Sequence, residues 1–120
     1  DPWQAAYLAQ RLGGLGVRMH EQPFSAPWQN VMATKLLEVF VNRRIQLYPD
    51  PMLMSDLGKL SIVEKQWGYR LEAPRDEAGH CDRGVSLALA VPYGLDIIED
   101  IRRQWQIEEQ MSRGYDRVYA

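Results

Sequence analysis

Two short stretches of alternating side chains, separated by a tryptophan–glycine pair, constrain the fold of this chain more than any other feature. In residues 60–65, one set of side chains (Leu60, Ile62, Glu64) alternates with a second set (Ser61, Val63, Lys65). After Trp67-Gly68, residues 69–73 alternate in the same way. Alternation with a period of two places successive side chains on opposite faces of a strand. Glycine suits the tight turn between two such strands. The pattern therefore predicts a β-hairpin over residues 60–73 in place of a long helix.

Helical spacing of apolar side chains recurs on both sides of the hairpin. It predicts helices over 3–12, 28–44, 52–59, 81–91 and 95–111. Asp50 followed by Pro51 marks a helix start, because aspartate caps a first turn and proline is tolerated there. Pro92 is expected to stop the helix that begins near Cys81, since proline lacks the backbone N–H that the next turn needs.

Two further segments have the character of extended chain. Residues 17–22 alternate as a short strand would, and residues 45–48 form a short extended piece. With the hairpin, these segments give an order in which strands interleave with helices. That order predicts an α/β fold in which helices flank a mostly parallel sheet.

Composition narrows the class of protein. A chain of 120 residues with 46 % hydrophobic and 25 % charged residues is of a size for one ordinary globular domain and is not of the disordered class. No apolar run approaches the ~20 residues of a membrane span. The single cysteine, Cys81, excludes an internal disulfide and favours a reducing, cytoplasmic setting.

The formal net charge of −2 argues against a protein that coats nucleic acid nonspecifically, because such proteins are usually basic. It remains compatible with a metal-dependent nuclease, where bound cations offset the carboxylates locally. The sequence also lacks the Gly-x-x-x-x-Gly-Lys-Ser/Thr phosphate loop, so we expect no ATPase within this chain.

Two carboxylates stand out as candidate metal ligands. Asp1 opens the chain at an expected strand end, and Asp82 comes directly before the helical run 84–90. Mg²⁺ prefers oxygen ligands from a few carboxylates and keeps several waters or phosphate oxygens. Each residue also has a simpler interpretation. Asp1 could cap the first helix, and Asp82 could stabilise the positive end of its helix.

The order of these motifs resembles the C-terminal nuclease domain of large terminase subunits, the DNA-packaging motors of tailed phages. The motifs are Asp-Pro-Trp-Gln at 1–4, the hairpin, Gly-His-Cys-Asp-Arg at 79–83 and Leu-Ala-Leu-Ala at 87–90. The resemblance covers residues 1–91 and implies part of a ribonuclease H-like nuclease domain that begins partway through the fold. Residues 92–120 match nothing in that family and are expected to form a C-terminal helical extension.

The resemblance implies a two-metal endonuclease that cuts double-stranded DNA during genome packaging. Asp1 and Asp82 would be the catalytic carboxylates that hold Mg²⁺ or Mn²⁺. A first acid of the family set has no counterpart here, so this fragment alone is expected to bind metal and cut poorly. The implied partners are duplex DNA, an upstream ATPase domain of the same protein, the portal ring and the small terminase subunit. The implied location is the host-cell cytoplasm, with no membrane association.

Two neighbours of Asp82 have open roles. His80 could be a further ligand or a proton shuttle, roles that histidine side chains often have, or it could order the loop or contact Asp82. Arg83 could hold a phosphate through its two-pronged guanidinium, or it could be an ordinary surface arginine. We expect both to assist at the DNA phosphate or beside the metal.

Two alternative functions remain open. Another ribonuclease H-like enzyme, such as a transposase or a Holliday-junction resolvase, would share the acids. A non-catalytic interaction domain would use both aspartates as helix caps. Its helix from Leu95, which carries an apolar stripe and the Arg102-Arg103 pair, would then dock a partner.

Overall fold

The computed structural model describes residues 2–75 and 79–119, and within these ranges the chain is mostly helical. Six elements follow one another along the chain. They are α1 (Pro2–Gly14), α2 (Ala26–Val41), α3 (Pro51–Lys59), β1 (Ser61–Lys65), β2 (Gly68–Glu72) and α4 (Asp82–Tyr119). The first three helices and the hairpin lie where the sequence patterns predict them.

The predicted hairpin is confirmed. β1 and β2 pair antiparallel, with Ile62 opposite Leu71 and Lys65 opposite Gly68. Gly68 has a φ of 138°, a conformation that favours glycine. Asn30 of α2 holds the start of β2, because its Oδ1 accepts a hydrogen bond from the Tyr69 backbone N–H at 2.9 Å. The hairpin is therefore tied to α2 as well as to itself.

The predicted parallel sheet is wrong. The described residues contain one two-stranded antiparallel sheet, and residues 17–22 and 45–48 form no strand. A strand needs a neighbour to satisfy its backbone N–H and C=O groups, and neither segment pairs with one. The side chains of Val17 and Met19 are correspondingly exposed. The α/β, ribonuclease H-like architecture expected from the resemblance is thus not the fold of this chain.

Local capping explains where α2 and α3 begin. The Ser25 hydroxyl accepts from the Trp28 N–H at 3.4 Å, and the Asp50 carboxylate accepts from the Met52 N–H at 2.9 Å. Both helices carry proline in the first turn, where its missing N–H costs nothing. The expected helix start at Asp50-Pro51 is confirmed.

The expected helix stop at Pro92 is wrong, because α4 runs through it as one helix of 38 residues. Proline inside a helix removes one backbone hydrogen bond and costs about 3 kcal/mol. Here Pro92 is buried beside Val91, where α4 packs against α2. Burial of apolar surface on both sides of the proline offsets that cost. The expected boundary between residues 91 and 92 therefore lies inside a continuous helix.

One apolar core joins α2, the hairpin and the first half of α4. Met32 and Ala33 of α2 are essentially inaccessible to solvent, as is Ala88 of α4. The other buried members of this cluster are Leu36, Val39, Leu71 and Val91. Ala88 presents no bulk beyond a methyl group, which lets α4 approach α2 closely. Leu53 of α3 is also buried, so α3 packs against the start of α4.

The second half of α4 extends beyond this core. Every residue from 96 to 118 is exposed, and the molecule measures 68 Å along its longest axis. Within residues 2–75 and 79–119, no helix combines the length and the apolar character needed to cross a membrane.

Candidate functional site at the start of the long helix

The N-terminus of α4 is capped by a residue of another helix. Asp56 of α3 accepts two backbone hydrogen bonds through Oδ2, from the Arg83 N–H at 3.0 Å and from the Gly84 N–H at 3.3 Å. These are the second and third helical residues, whose N–H groups a local capping side chain would normally satisfy. Asp56 thereby fixes the start of α4 on α3.

Gly84 lets the two helices meet at this point. A Cβ on Gly84 would lie 3.2 Å from the Asp56 Cβ and 3.2 Å from Leu60 Cδ1, tighter than ordinary van der Waals contact. Without a side chain there, the first turn of α4 can rest directly against α3. The short distance from Asp56 to the helix N–H groups depends on this close approach.

The chain turns sharply just before α4. Cys81 has a φ of 57°, in the left-handed region that few residues other than glycine adopt. Its thiol is buried and lies 3.6 Å from the Pro74 carbonyl oxygen, while its own carbonyl accepts from the Val85 N–H at 2.9 Å. The turn at Cys81 therefore sets the direction in which α4 leaves.

Asp82 is the first residue of α4, and its side chain is exposed. Because Asp56 caps the helix, the Asp82 carboxylate is not needed for that purpose. Within the described part of the chain it makes no hydrogen bond or ion pair. It gains from the partial positive charge of the helix N-terminus. Asp82 is thus a solvent-facing carboxylate at a firmly positioned helix start.

Arg83 connects the starts of two helices. Its Nε lies 3.8 Å from Oδ2 of Asp50, the residue that caps α3. Both side chains are partly exposed, so the pair contributes roughly 1 kcal/mol or less. Arg83 is therefore a partly exposed arginine with a weak acidic partner, and a phosphate could compete for its guanidinium.

His80 is exposed and precedes the turn at Cys81. A contact with Asp82, one of the alternatives for His80, is not found among the hydrogen bonds of the described residues. Asp82 and Arg83 are thus sequence neighbours in the first turn of α4, and His80 lies two positions before Asp82.

Asp1 lies outside the described residues, so its expected proximity to Asp82 stays a prediction. Within residues 2–75 and 79–119, no group of three or more His, Cys, Asp or Glu side chains is arranged to hold a metal ion. Of the acids near the start of α4, Asp50 and Asp56 are engaged as helix caps. At the start of α4, Asp82 is therefore a carboxylate open to a ligand, and the described residues do not by themselves form a Mg²⁺ site.

Sequence reasoning missed Asp56, the residue that organises this region. Capping patterns are recognised from neighbours within three or four positions, and Asp56 lies 27 residues before Arg83. The sequence offers one hint. Cys81 occupies the position before the helix where a capping Ser, Thr, Asp or Asn would be expected, which indicates that the cap comes from elsewhere. Comparison of the chain with family models, curated proteins and solved structures found no match.

Proposed function

We propose that this chain contributes to a metal-dependent endonuclease of the terminase large-subunit class, which cuts duplex DNA in the host-cell cytoplasm. The observation that carries the proposal is the exposed Asp82 carboxylate at the start of α4, relieved of capping by Asp56. A ligand carboxylate must be free to bind and held at a fixed position, and Asp82 meets both conditions. The motif order quoted above supports the choice of family.

In this proposal Asp82 supplies one oxygen ligand to Mg²⁺ or Mn²⁺. Asp1 and acids from outside the described residues would supply the others. The bound ions would provide the activated water and stabilise the leaving oxygen. Arg83 would contact the phosphate group, exchanging its weak pairing with Asp50 for a charge-assisted one. The helix dipole of α4 adds partial positive charge at the same place.

Calorimetric titration of the intact protein with Mn²⁺ tests the proposal. Asp82→Asn is expected to weaken Mn²⁺ binding about tenfold or more and to abolish cleavage of plasmid DNA, because a neutral amide replaces an anionic ligand. Asp96→Asn is the matched control. Asp96 is an exposed aspartate of the same helix, and its replacement removes the same charge. Asp1→Asn should resemble Asp82→Asn.

Unchanged Mn²⁺ affinity and cleavage in Asp82→Asn would exclude the metal role. Equal losses in Asp82→Asn and Asp96→Asn would also contradict it, since they would show that only the overall charge matters. Circular dichroism of both variants verifies that α4 is intact.

A second candidate function is that of a non-catalytic interaction domain. It is favoured by the exposed apolar side chains in the second half of α4, residues 96–118. Exposed apolar side chains lie there at helical spacing in two groups, Ile97 with Ile101 and, ten positions further on, Met111 with Tyr115 and Val118. Such spacing forms a seam that fits another helix. The occupant we assign is α4 of a second copy of the chain, whose stripe has the same spacing.

Sedimentation velocity distinguishes this second candidate. A concentration-dependent dimer that Ile101→Asp dissociates would support it. A monomer at every concentration, with Ile101→Asp sedimenting like the unmodified protein, would exclude it.

A further inference from the structure

A cleft rich in basic side chains lies on the flank of the molecule, away from the start of α4. It has a volume of about 440 Å³ and separates α2 and the residues after it from the middle of α4. The described lining residues include four basic and two acidic side chains. They are Lys35, Arg44, Arg102 and Arg103, with Glu38 and Glu99. Positive charge is therefore in excess here, although the whole chain carries −2.

The existing ion pairs leave the basic groups of the cleft available. Glu38 is shared between Lys35 at 3.3 Å and Arg44 at 3.7 Å, and all three side chains are more than a third exposed. Exposed pairs of this kind are weak and are screened by salt. Neither cation is therefore neutralised by a carboxylate of its own.

On α4, the two arginines of the cleft differ in their partners. Arg103 pairs with Glu99 at 3.1 Å on the helix surface, where both side chains are largely exposed. Arg102 makes no hydrogen bond or ion pair within the described part of the chain. An incoming anion would thus meet uncommitted donors at Arg102 without having to break a buried pair.

The basic surface continues along α4 beyond the cleft. From Arg103, exposed polar residues recur every three or four positions, which places them on one face of the helix. This polar stripe consists of Arg103, Gln106, Gln110, Arg113 and Arg117. At 1.5 Å per residue it extends about 21 Å. Arg113 pairs with Glu109 on the exposed helix surface, another weak contact.

We infer that the cleft and the polar stripe together bind the phosphate backbone of duplex DNA. A single phosphate group would occupy a small part of a site about 21 Å long, whereas one DNA strand presents a phosphate every 3.4 Å or so along the helix axis. Glutamine and arginine side chains both donate hydrogen bonds to phosphate oxygens.

The inference rests on the proposed function for its choice of duplex DNA as the ligand. It needs no metal and no participation of Asp82. Binding can therefore be measured in the presence of a chelator, which separates it from the metal titration. Loss of metal binding with DNA binding retained would leave this inference standing while the nuclease proposal fails.

Fluorescence anisotropy of the full chain with a short labelled duplex, in EDTA and at several salt concentrations, tests it. The triple variant Lys35→Gln, Arg102→Gln, Arg103→Gln is expected to lose about tenfold or more in affinity. The slope of log affinity against log salt should fall by about 2 to 3, because up to three phosphate contacts disappear. The matched control is Arg18→Gln, Lys65→Gln, Arg70→Gln. It removes the same charge from exposed residues elsewhere and should change the affinity less than about twofold.

Three outcomes would overturn the inference. The first is equal weakening of the cleft triple variant and the control, which would show a general charge effect. The second is displacement of the labelled duplex by poly-glutamate as effectively as by unlabelled duplex, which would indicate an acidic protein partner. The third is absence of binding by the unmodified chain at low salt. Circular dichroism excludes unfolding as the cause of any loss.

Discussion

The Asp56 Oδ2 atom lies 3.0 Å from the backbone nitrogen of Arg83, so the cap of α4 is donated by α3, 27 residues earlier in the chain. This bond and its companion to Gly84 at 3.3 Å satisfy N–H groups that would otherwise lack a helical partner. They also free Asp82 from capping. The contact between α3 and α4 thereby gives Asp56 the structural role and leaves the Asp82 carboxylate open to a ligand.

Replacing Asp56 should therefore destabilise the fold more than replacing Asp82. Asp56→Ala is expected to lower the free energy of unfolding by about 1–2 kcal/mol, because two backbone N–H groups lose their acceptor. Asp82→Ala should cost about 0.5 kcal/mol or less, since only its interaction with the helix dipole is lost. Urea unfolding followed by circular dichroism measures both. A larger loss in Asp82→Ala would show that Asp56 does not cap the helix in solution.

The link between α2 and the hairpin can be tested at Asn30. Asn30→Ala is expected to lower the free energy of unfolding by about 1–2 kcal/mol, because the Tyr69 N–H loses its acceptor. It should also speed hydrogen exchange at Tyr69. Asn30→Asp keeps an acceptor oxygen at this position and serves as the control. Equal exchange rates at Tyr69 in Asn30→Ala and the unmodified chain would contradict the assignment.

Two glycines should respond to alanine in opposite directions. Gly68 has a φ of 138°, and a Cβ there would lie 2.5 Å from Asn30 Oδ1. Gly68→Ala is therefore expected to cost about 2 kcal/mol or more. A Cβ on Gly94, inside α4, would meet nothing within 4 Å. Gly94→Ala should stabilise the chain by about 0.5–1 kcal/mol through its higher helix propensity. Thermal unfolding of the two variants checks the signs, and destabilisation by Gly94→Ala would argue against a regular helix at that position.

The continuity of α4 through Pro92 predicts a long distance between two exposed serines. Spin labels on Ser86→Cys and Ser112→Cys are separated by 26 residues, which is about 39 Å at 1.5 Å per residue. Double electron–electron resonance spectroscopy should give a distance between the two labels near that value, shortened by a few Å if the proline bends the helix. The native thiol of Cys81 is buried and should label slowly. A distance below about 25 Å would show two helices folded back on each other at Pro92.

Much of the local structure follows from short-range patterns in the sequence. The hairpin is set by the two-residue period and by Gly68, and α3 begins where Asp50 and Pro51 place a cap and a first turn. These features depend largely on interactions within a few residues, so local sequence patterns predict them. The position of Asp82 at the start of a helix follows from the same kind of local pattern.

The tertiary structure decided the remaining features. Residues 17–22 and 45–48 have strand-like patterns and form no strand, since a strand also needs a partner that local sequence cannot supply. The helix continues through Pro92 because packing against α2 offsets a local penalty. Asp56 caps α4 because Gly84 allows two helices to approach, a juxtaposition of residues far apart in the chain. Sequence alone thus determined the elements with short-range causes. Long-range packing energies determined how far each element extends and which carboxylate remains open.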